Sequence, residues 1–279
     1  MLLKTIKSQI YSLLQQKKTV FMFFFLLGVI VANFLFNAYH SYGVMDVTQY
    51  HPMRLLTLSH FMGDRFDISY YIAQTLPITA IIPAALSFIK DRNSRELIYI
   101  QSKVGTRNYY YGKLIAVFVV TFLIFAVPFL IEVALNSIAF PSNTQLDPDS
   151  SDAVEFFAKT PHYLFGRLYS FNIYLYAIFF ICVFSLAAAI FACFAHAFSI
   201  FKFVKFGAFV FVPVYSLLFI IYSLGDAFNS HFTTYYPHYL LLFNSAGYKN
   251  GKGYVLLLVL MGLFSIAVTE IKCRKDCLN

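Results

Sequence analysis

Long, continuously apolar runs separated by polar connections dominate the pattern of this chain. An α-helix needs about 20 mostly apolar residues to cross the hydrocarbon core of a bilayer, where it satisfies its own backbone hydrogen bonds. Six runs reach or approach that length, at residues 19–39, 68–89, 114–139, 171–198, 206–225 and 253–269. They are apolar at successive rather than alternate positions, which is not the pattern of outer-membrane barrel strands. The chain is therefore predicted to be an all-α, polytopic membrane protein with six transmembrane helices.

The first 18 residues have a different, amphipathic pattern. Leu2, Ile6, Ile10 and Leu13 recur on one helical stripe, with lysines largely opposite. This pattern is typical of a helix that lies in the membrane interface, where lysines reach anionic headgroups. A solvated helix packed on a partner is the alternative.

Two connections on the predicted outer side, 40–67 and 140–170, are long enough to carry structure. A third, at 226–252, is apolar and aromatic but is interrupted by Pro237 and is too short to cross the bilayer. It is predicted to form an outer re-entrant hairpin before the sixth span.

Composition and charge agree with a membrane protein. The chain is 59% hydrophobic and only 12% charged, outside the range of soluble domains. The net charge of +8 comes from basic residues at the ends of apolar runs rather than on one dense patch, so no nucleic-acid partner is expected. A cytosolic N-terminus places fifteen Lys and Arg inside and six outside, which predicts a multi-pass protein of the cell membrane with both termini cytosolic. No repeat or separate soluble region interrupts 1–279, so we expect a single transmembrane domain.

A few polar side chains lie within the predicted spans. Asn33 and Asn37 are one helical turn apart, as are Glu132 and Asn136, and Gln74 adds polarity to the second span. Ionisable groups in lipid are costly and face the bundle interior, a partner or a water-filled cavity. These five residues are candidates for a pathway or gate, and interhelical hydrogen bonding is the alternative.

The sequence contains no enzyme motif. It has no HExxH, no Gly-rich phosphate loop and no GxSxG, so no catalytic residue is assigned. His40, His51 and His60 lie in one predicted outer loop, but their spacing matches no metal-site pattern, and no metal is expected.

The connection 90–113 is the most strongly charged part of the predicted cytosolic side. Residues 91–96 can start a short amphipathic helix, and Gly105 can end it. The alternative is a loop that only fixes topology. The basic residues of this segment are Lys90, Arg92, Arg95, Lys103, Arg107 and Lys113.

Three short motifs carry a family resemblance. They are SREL at 94–97, GTR at 105–107 and YGKL at 111–114, where the third span opens. These motifs resemble the cytosolic loop of ABC type-2 exporter permeases. The interfacial N-terminal helix, the six spans and the outer hairpin resemble the architecture of the same family.

The resemblance implies a permease subunit that is not itself an enzyme and binds no cofactor. ATP and Mg would be bound by a separate cytosolic ATP-binding cassette subunit, and a second permease, identical or different, would complete the transporter. Residues 91–103 would form a coupling helix that docks in the ATPase. Arg95 and Glu96 would make charged contacts, and Leu97 and Ile98 would fill an apolar groove. The full set of expected coupling residues is Arg95, Glu96, Leu97, Ile98, Gly105 and Arg107.

The cargo stays open among amphipathic, peptide, drug, lipid and glycan substrates. A membrane-embedded binding or immunity protein without transport is the alternative function, in which the basic loop serves topology alone. A secondary transporter is less favoured, because Glu132 stands nearly alone as an ionisable group within the spans.

Overall fold

The apolar runs form helices, the conformation in which a segment hydrogen-bonds its whole backbone internally. A computed structural model describes residues 2–41, 52–58, 68–94, 96–140, 166–201, 204, 206–228 and 251–278, and no β-strand occurs within these ranges. Two 3₁₀ turns, at Pro52–Leu55 and Gly207–Val210, accompany the helices. The α-helices are α1 (Leu2–Leu14), α2 (Lys17–Ser41), α3 (Ile68–Ala84), α4 (Ser87–Asn93), α5 (Glu96–Val104), α6 (Thr106–Ala139), α7 (Gly166–Phe171), α8 (Ile173–Ser199), α9 (Phe211–Phe228) and α10 (Gly251–Leu278).

Within the part of the chain that the structure describes, four helical segments are long and apolar enough to cross a membrane. They are Lys17–Tyr39, Thr106–Ala139, Ile173–Ser199 and Val255–Asp276. The structure therefore supports an all-helical membrane protein. The regions predicted as the second and fifth spans contain shorter apolar helices, Thr75–Ala84 and Phe211–Ile220.

The centre of the bundle is the contact between α6 and α8, around which α1, α2, α3 and α10 pack. A face of α8 that carries mainly small residues lies in this core: Ser185, Ala189, Ala192 and His196 are all fully buried. Small side chains allow helix backbones to approach closely, which suits α8 to its central position.

The second predicted span, 68–89, is interrupted. Helix α3 ends at Ala84, directly after Pro83, and α4 begins at Ser87. The His196 Nδ1 atom lies 3.3 Å from the carbonyl oxygen of Ala85, within the break. This contact provides a partner for a carbonyl that the interruption leaves outside a regular helix.

Two helices extend past the spans expected from hydropathy. Helix α6 begins at Thr106 rather than 114, and α10 continues to Leu278 rather than ending at 269. In α10 the ion pair between Glu270 and Arg274 spans one helical turn and stabilises the charged end of the helix. The interior of the predicted re-entrant hairpin lies outside the described residues.

Helix α1 packs through a face that overlaps only in part with its apolar stripe, since Leu13 is buried but Leu2 is 39% exposed. Its buried residues are Thr5, Gln9 and Leu13, which contact α6, while the side chain of Leu3 is 81% exposed. The close approach depends on Gly112, where a Cβ atom would lie 3.1 Å from the Thr5 Cγ2 atom.

Candidate functional site

Helix α5 is a short helix between α4 and α6, in the basic segment singled out by the sequence. It has nine residues, with Glu96 in its first turn and Lys103 in its last. Both charges have the sign that the helix dipole favours at their positions. Gly105 follows with a φ of 84°, a conformation suited to glycine, and redirects the chain into α6.

The two faces of α5 have different surroundings. Leu97, Ile100 and Val104 pack inward against a cluster of buried side chains. The opposite face is open, with Ile98 72% exposed and Tyr99 69% exposed. Exposed apolar side chains that lie together and are bordered by polar residues are a feature of interaction surfaces.

An aromatic cluster supports the inner face of α5. Phe88 of α4 packs against Tyr109 and Tyr110 of α6, and the two tyrosine rings meet edge to face with centroids 5.5 Å apart. All three side chains are buried. Asp91 and Lys113 adjoin these rings, and we call the five side chains together the polar base.

A buried ion pair within the polar base links three helices. Lys113 Nζ of α6 lies 2.8 Å from Asp91 Oδ2 of α4 and also donates to Gln9 Oε1 of α1, at 3.1 Å. Tyr109 donates its hydroxyl to the same Asp91 oxygen, at 2.7 Å. Lys113 is 2% exposed, so its charge is compensated by these partners rather than by bulk water.

The two following tyrosines fix α6 to the last helix. Tyr110 donates its hydroxyl to Asp276 Oδ2 and Tyr111 to Glu270 Oε2, both at 2.6 Å. With Tyr109, three consecutive tyrosines therefore bind three different carboxylates. Through these contacts the polar base connects α1, α4, α6 and α10.

Arg92 makes a separate connection on α4. Its guanidinium donates to the carbonyl oxygens of Phe201 and Val204, just beyond the end of α8. A cation near a helix C-terminus is favoured by the helix dipole and by the free carbonyl groups there.

The expected coupling residues are distributed over both faces of α5 and its junction with α6. Glu96 and Ile98 are exposed, whereas Leu97 contacts the polar base. The exposed Arg107 has its guanidinium carbon 5.9 Å from the centroid of the Tyr111 ring. Arg95 lies outside the described residues. Their part in ATPase coupling stays a prediction.

A second polar cluster surrounds Glu132, near the other end of α6. Glu132 Oε1 accepts hydrogen bonds from the backbone N–H of Thr57 at 2.7 Å, the Thr57 hydroxyl at 2.5 Å and Asn33 Nδ2 at 3.2 Å. Glu132 and Thr57 are 1% and 2% exposed. The carboxylate thus joins α6, α2 and the connecting segment 52–58.

The neighbouring asparagines bind the backbone of the same connecting segment. Asn33 and Asn37 both donate to the carbonyl of Leu55, at 3.1 and 3.0 Å, and Asn136 donates to the carbonyl of Pro52, at 3.4 Å. Together with Glu132, these three asparagines hold an irregular segment against the bundle. A pathway or gating role for them stays a prediction. Gln74 lies in α3, and its side chain is outside the described residues.

Several of these contacts could not be assigned from the sequence. In the sequence, Lys113 is only one of six basic residues of a connection, and Asp91 is only part of a possible helix start. Their pairing cannot be inferred there because it depends on the packing of α4 against α6. The local feature of the sequence that points to these contacts is the run of three tyrosines, Tyr109–Tyr111, just before the third predicted span. Among the residues that the structure describes, no three His, Cys, Asp or Glu side chains are grouped to hold a metal.

Comparison with protein-family models, curated proteins and solved structures finds no match for this chain. The resemblance to ABC type-2 permeases therefore rests on the motifs and pattern of the chain itself.

Proposed function

We propose that this chain is the membrane-spanning permease subunit of an ATP-driven ABC exporter. The observation that carries the proposal is the exposed face of α5, on which Ile98 and Tyr99 are open while the inner face is fixed to the polar base. A partner whose groove accepts the Ile98 and Tyr99 side chains would bury apolar surface without disturbing the bundle.

The attachment of α5 favours the transmission of a force. Its inner face contacts the polar base, and hydrogen bonds from that base reach α1, α4 and α10. Movement imposed on α5 by a partner would therefore act on several helices together. Shifts at one site are transmitted through packed elements because close-packed interiors do not deform continuously.

The two polar clusters occupy positions that suit the two surfaces of a bilayer. Lys113 and Glu132 are 19 residues apart on one helix, or about 28 Å at a rise of 1.5 Å per residue. That distance is about the thickness of the hydrocarbon core. In this arrangement the basic end, defined by α5 and Lys113, faces the cytosol, and both chain termini are cytosolic.

The complete transporter would contain further parts. The shorter apolar helices in α3 and α9 would complete six spans, and an outer re-entrant hairpin would precede α10. The chain would work in the cell membrane with a second permease, identical or different, and with a cytosolic ATP-binding cassette subunit that binds ATP and Mg. An amphipathic, peptide, drug, lipid or glycan cargo would pass between the two permeases.

Affinity purification from the native membrane tests the proposal. The tagged chain, extracted in a mild detergent, should retain an ATP-binding cassette ATPase in stoichiometric amount, identified by mass spectrometry. Vanadate-sensitive ATP hydrolysis should accompany the complex. Purification of the chain without any such ATPase would instead favour a non-transporting membrane binding or immunity protein.

A further inference from the structure

A cavity opens at the basic end, where two interruptions of the helices meet. Its volume is about 560 Å³, and its walls come from the turn between α1 and α2 and from the break between α3 and α4. This volume is typical of a small-molecule site. The hydroxyl of Thr19 donates to the carbonyl of Pro83 at 2.8 Å and holds the two walls together.

The rim of this cavity is cationic. Lys17, Lys18 and Lys90 line it, and no lining residue carries a carboxylate. All three lysines are exposed. The N–H groups of Thr19 and Val20 at the start of α2 already donate to the carbonyl of Gln16, so the lysine side chains supply the positive charge of the rim.

The floor of the cavity combines apolar surface with one unpartnered polar group. Ile82, Pro83 and Leu86 line it together with Ser87. Ser87 is 2% exposed, and its hydroxyl has no hydrogen-bond partner. The Ser87 hydroxyl is itself buried, so the accessible part of the floor is formed by the apolar side chains.

We infer that this cavity binds the phosphate head group of an anionic phospholipid. The three lysines would surround the phosphate oxygens, and the apolar floor would contact the glycerol and upper acyl chains. Free phosphate shares the anionic chemistry but would leave the apolar floor unused. Basic pockets between transmembrane helices on the cytosolic side commonly take such head groups. The inference requires a membrane but not the ATPase partner.

Native mass spectrometry of the purified full chain in a neutral detergent tests this site. The chain is titrated with palmitoyl-oleoyl phosphatidylglycerol and, separately, with the zwitterionic phosphatidylcholine of the same chains. The site variant carries Lys17→Gln, Lys18→Gln and Lys90→Gln. The control carries Lys103→Gln, Arg107→Gln and Lys275→Gln, which remove the same charge from exposed positions outside the cavity and outside the amphipathic first helix.

The native chain should retain phosphatidylglycerol in preference to phosphatidylcholine. Each lysine near an anionic lipid contributes a factor of about five to binding, so the site variant should bind about a hundredfold more weakly. The control should bind within about threefold of the native chain, since charge alone would not define the site. Equal weakening in both variants, or equal retention of both lipids, would overturn the inference. Displacement of the lipid by millimolar inorganic phosphate would overturn the assignment to a phospholipid.

Discussion

Replacement of Lys113 by methionine tests the polar base beneath α5. Methionine keeps the length and apolar stem of lysine but removes the charge that lies 2.8 Å from Asp91. Lys113 is 2% exposed and Asp91 is 7% exposed, so water cannot replace the lost ammonium. Removing one partner of a buried pair costs about 3–5 kcal/mol of unfolding free energy, because the other charge stays buried.

Equilibrium unfolding in mixed detergent micelles, followed by the helical circular dichroism signal, measures this loss. The matched control is Lys103→Met, at an exposed lysine of α5, whose replacement should change the unfolding free energy by less than about 0.5 kcal/mol. A double variant with Asp91→Asn removes both charges and keeps an acceptor for the Tyr109 hydroxyl. It should recover about 2 kcal/mol of the loss, since neither charge is then left unpaired.

The reasoning would be refuted if Lys113→Met were as stable as Lys103→Met. It would also be refuted if the double variant were as unstable as the sum of the two single changes, because the two side chains would then act independently.

Substitutions at three further positions test other parts of the structure. Gly105→Ala places a side chain at a φ of 84° and should cost about 1–3 kcal/mol in the same unfolding assay, while an unchanged value would show that the junction can relax. Glu132→Ala leaves the N–H and hydroxyl of Thr57 without their acceptor and should cost about 3 kcal/mol, whereas Glu132→Gln keeps an acceptor oxygen and should cost less than about 1 kcal/mol; equal losses would exclude this role. Gly112→Leu forces a side chain against Thr5 and should release α1, seen as faster proteolysis of the first helix; undiminished protection would contradict the packing described.

The helical class and the main apolar segments could be predicted because hydropathy acts locally. A run such as 171–198 has one way to satisfy its backbone in lipid, and it forms α8. The interruption between Ala84 and Ser87 could not be predicted in the same way. The contact of its Ala85 carbonyl with His196 joins residues 111 positions apart in the sequence.

The candidate sites show the same difference between features set by local sequence and contacts set by packing. The exposed side of α5 follows from its local pattern of charges and apolar residues. The partners of Glu132 do not, because Thr57 lies in a connection with no strong pattern of its own and meets α6 only in the folded bundle. The pairing of Asp91 with Lys113 likewise depends on how α4, α1 and α6 pack.

The most direct test of the central claim measures ATPase binding to the exposed face of α5. The variant Ile98→Ser with Tyr99→Ser should lose at least about tenfold in affinity for the co-purified ATP-binding cassette subunit, because apolar anchors dominate such interfaces. The control carries Ile138→Ser and Tyr39→Ser. In the native chain these side chains are 85% and 80% exposed, and they lie near the C-terminal ends of α6 and α2, away from α5. We expect the control to bind as the native chain does. Unchanged binding by the α5 variant, or an equal loss in the control, would contradict the account.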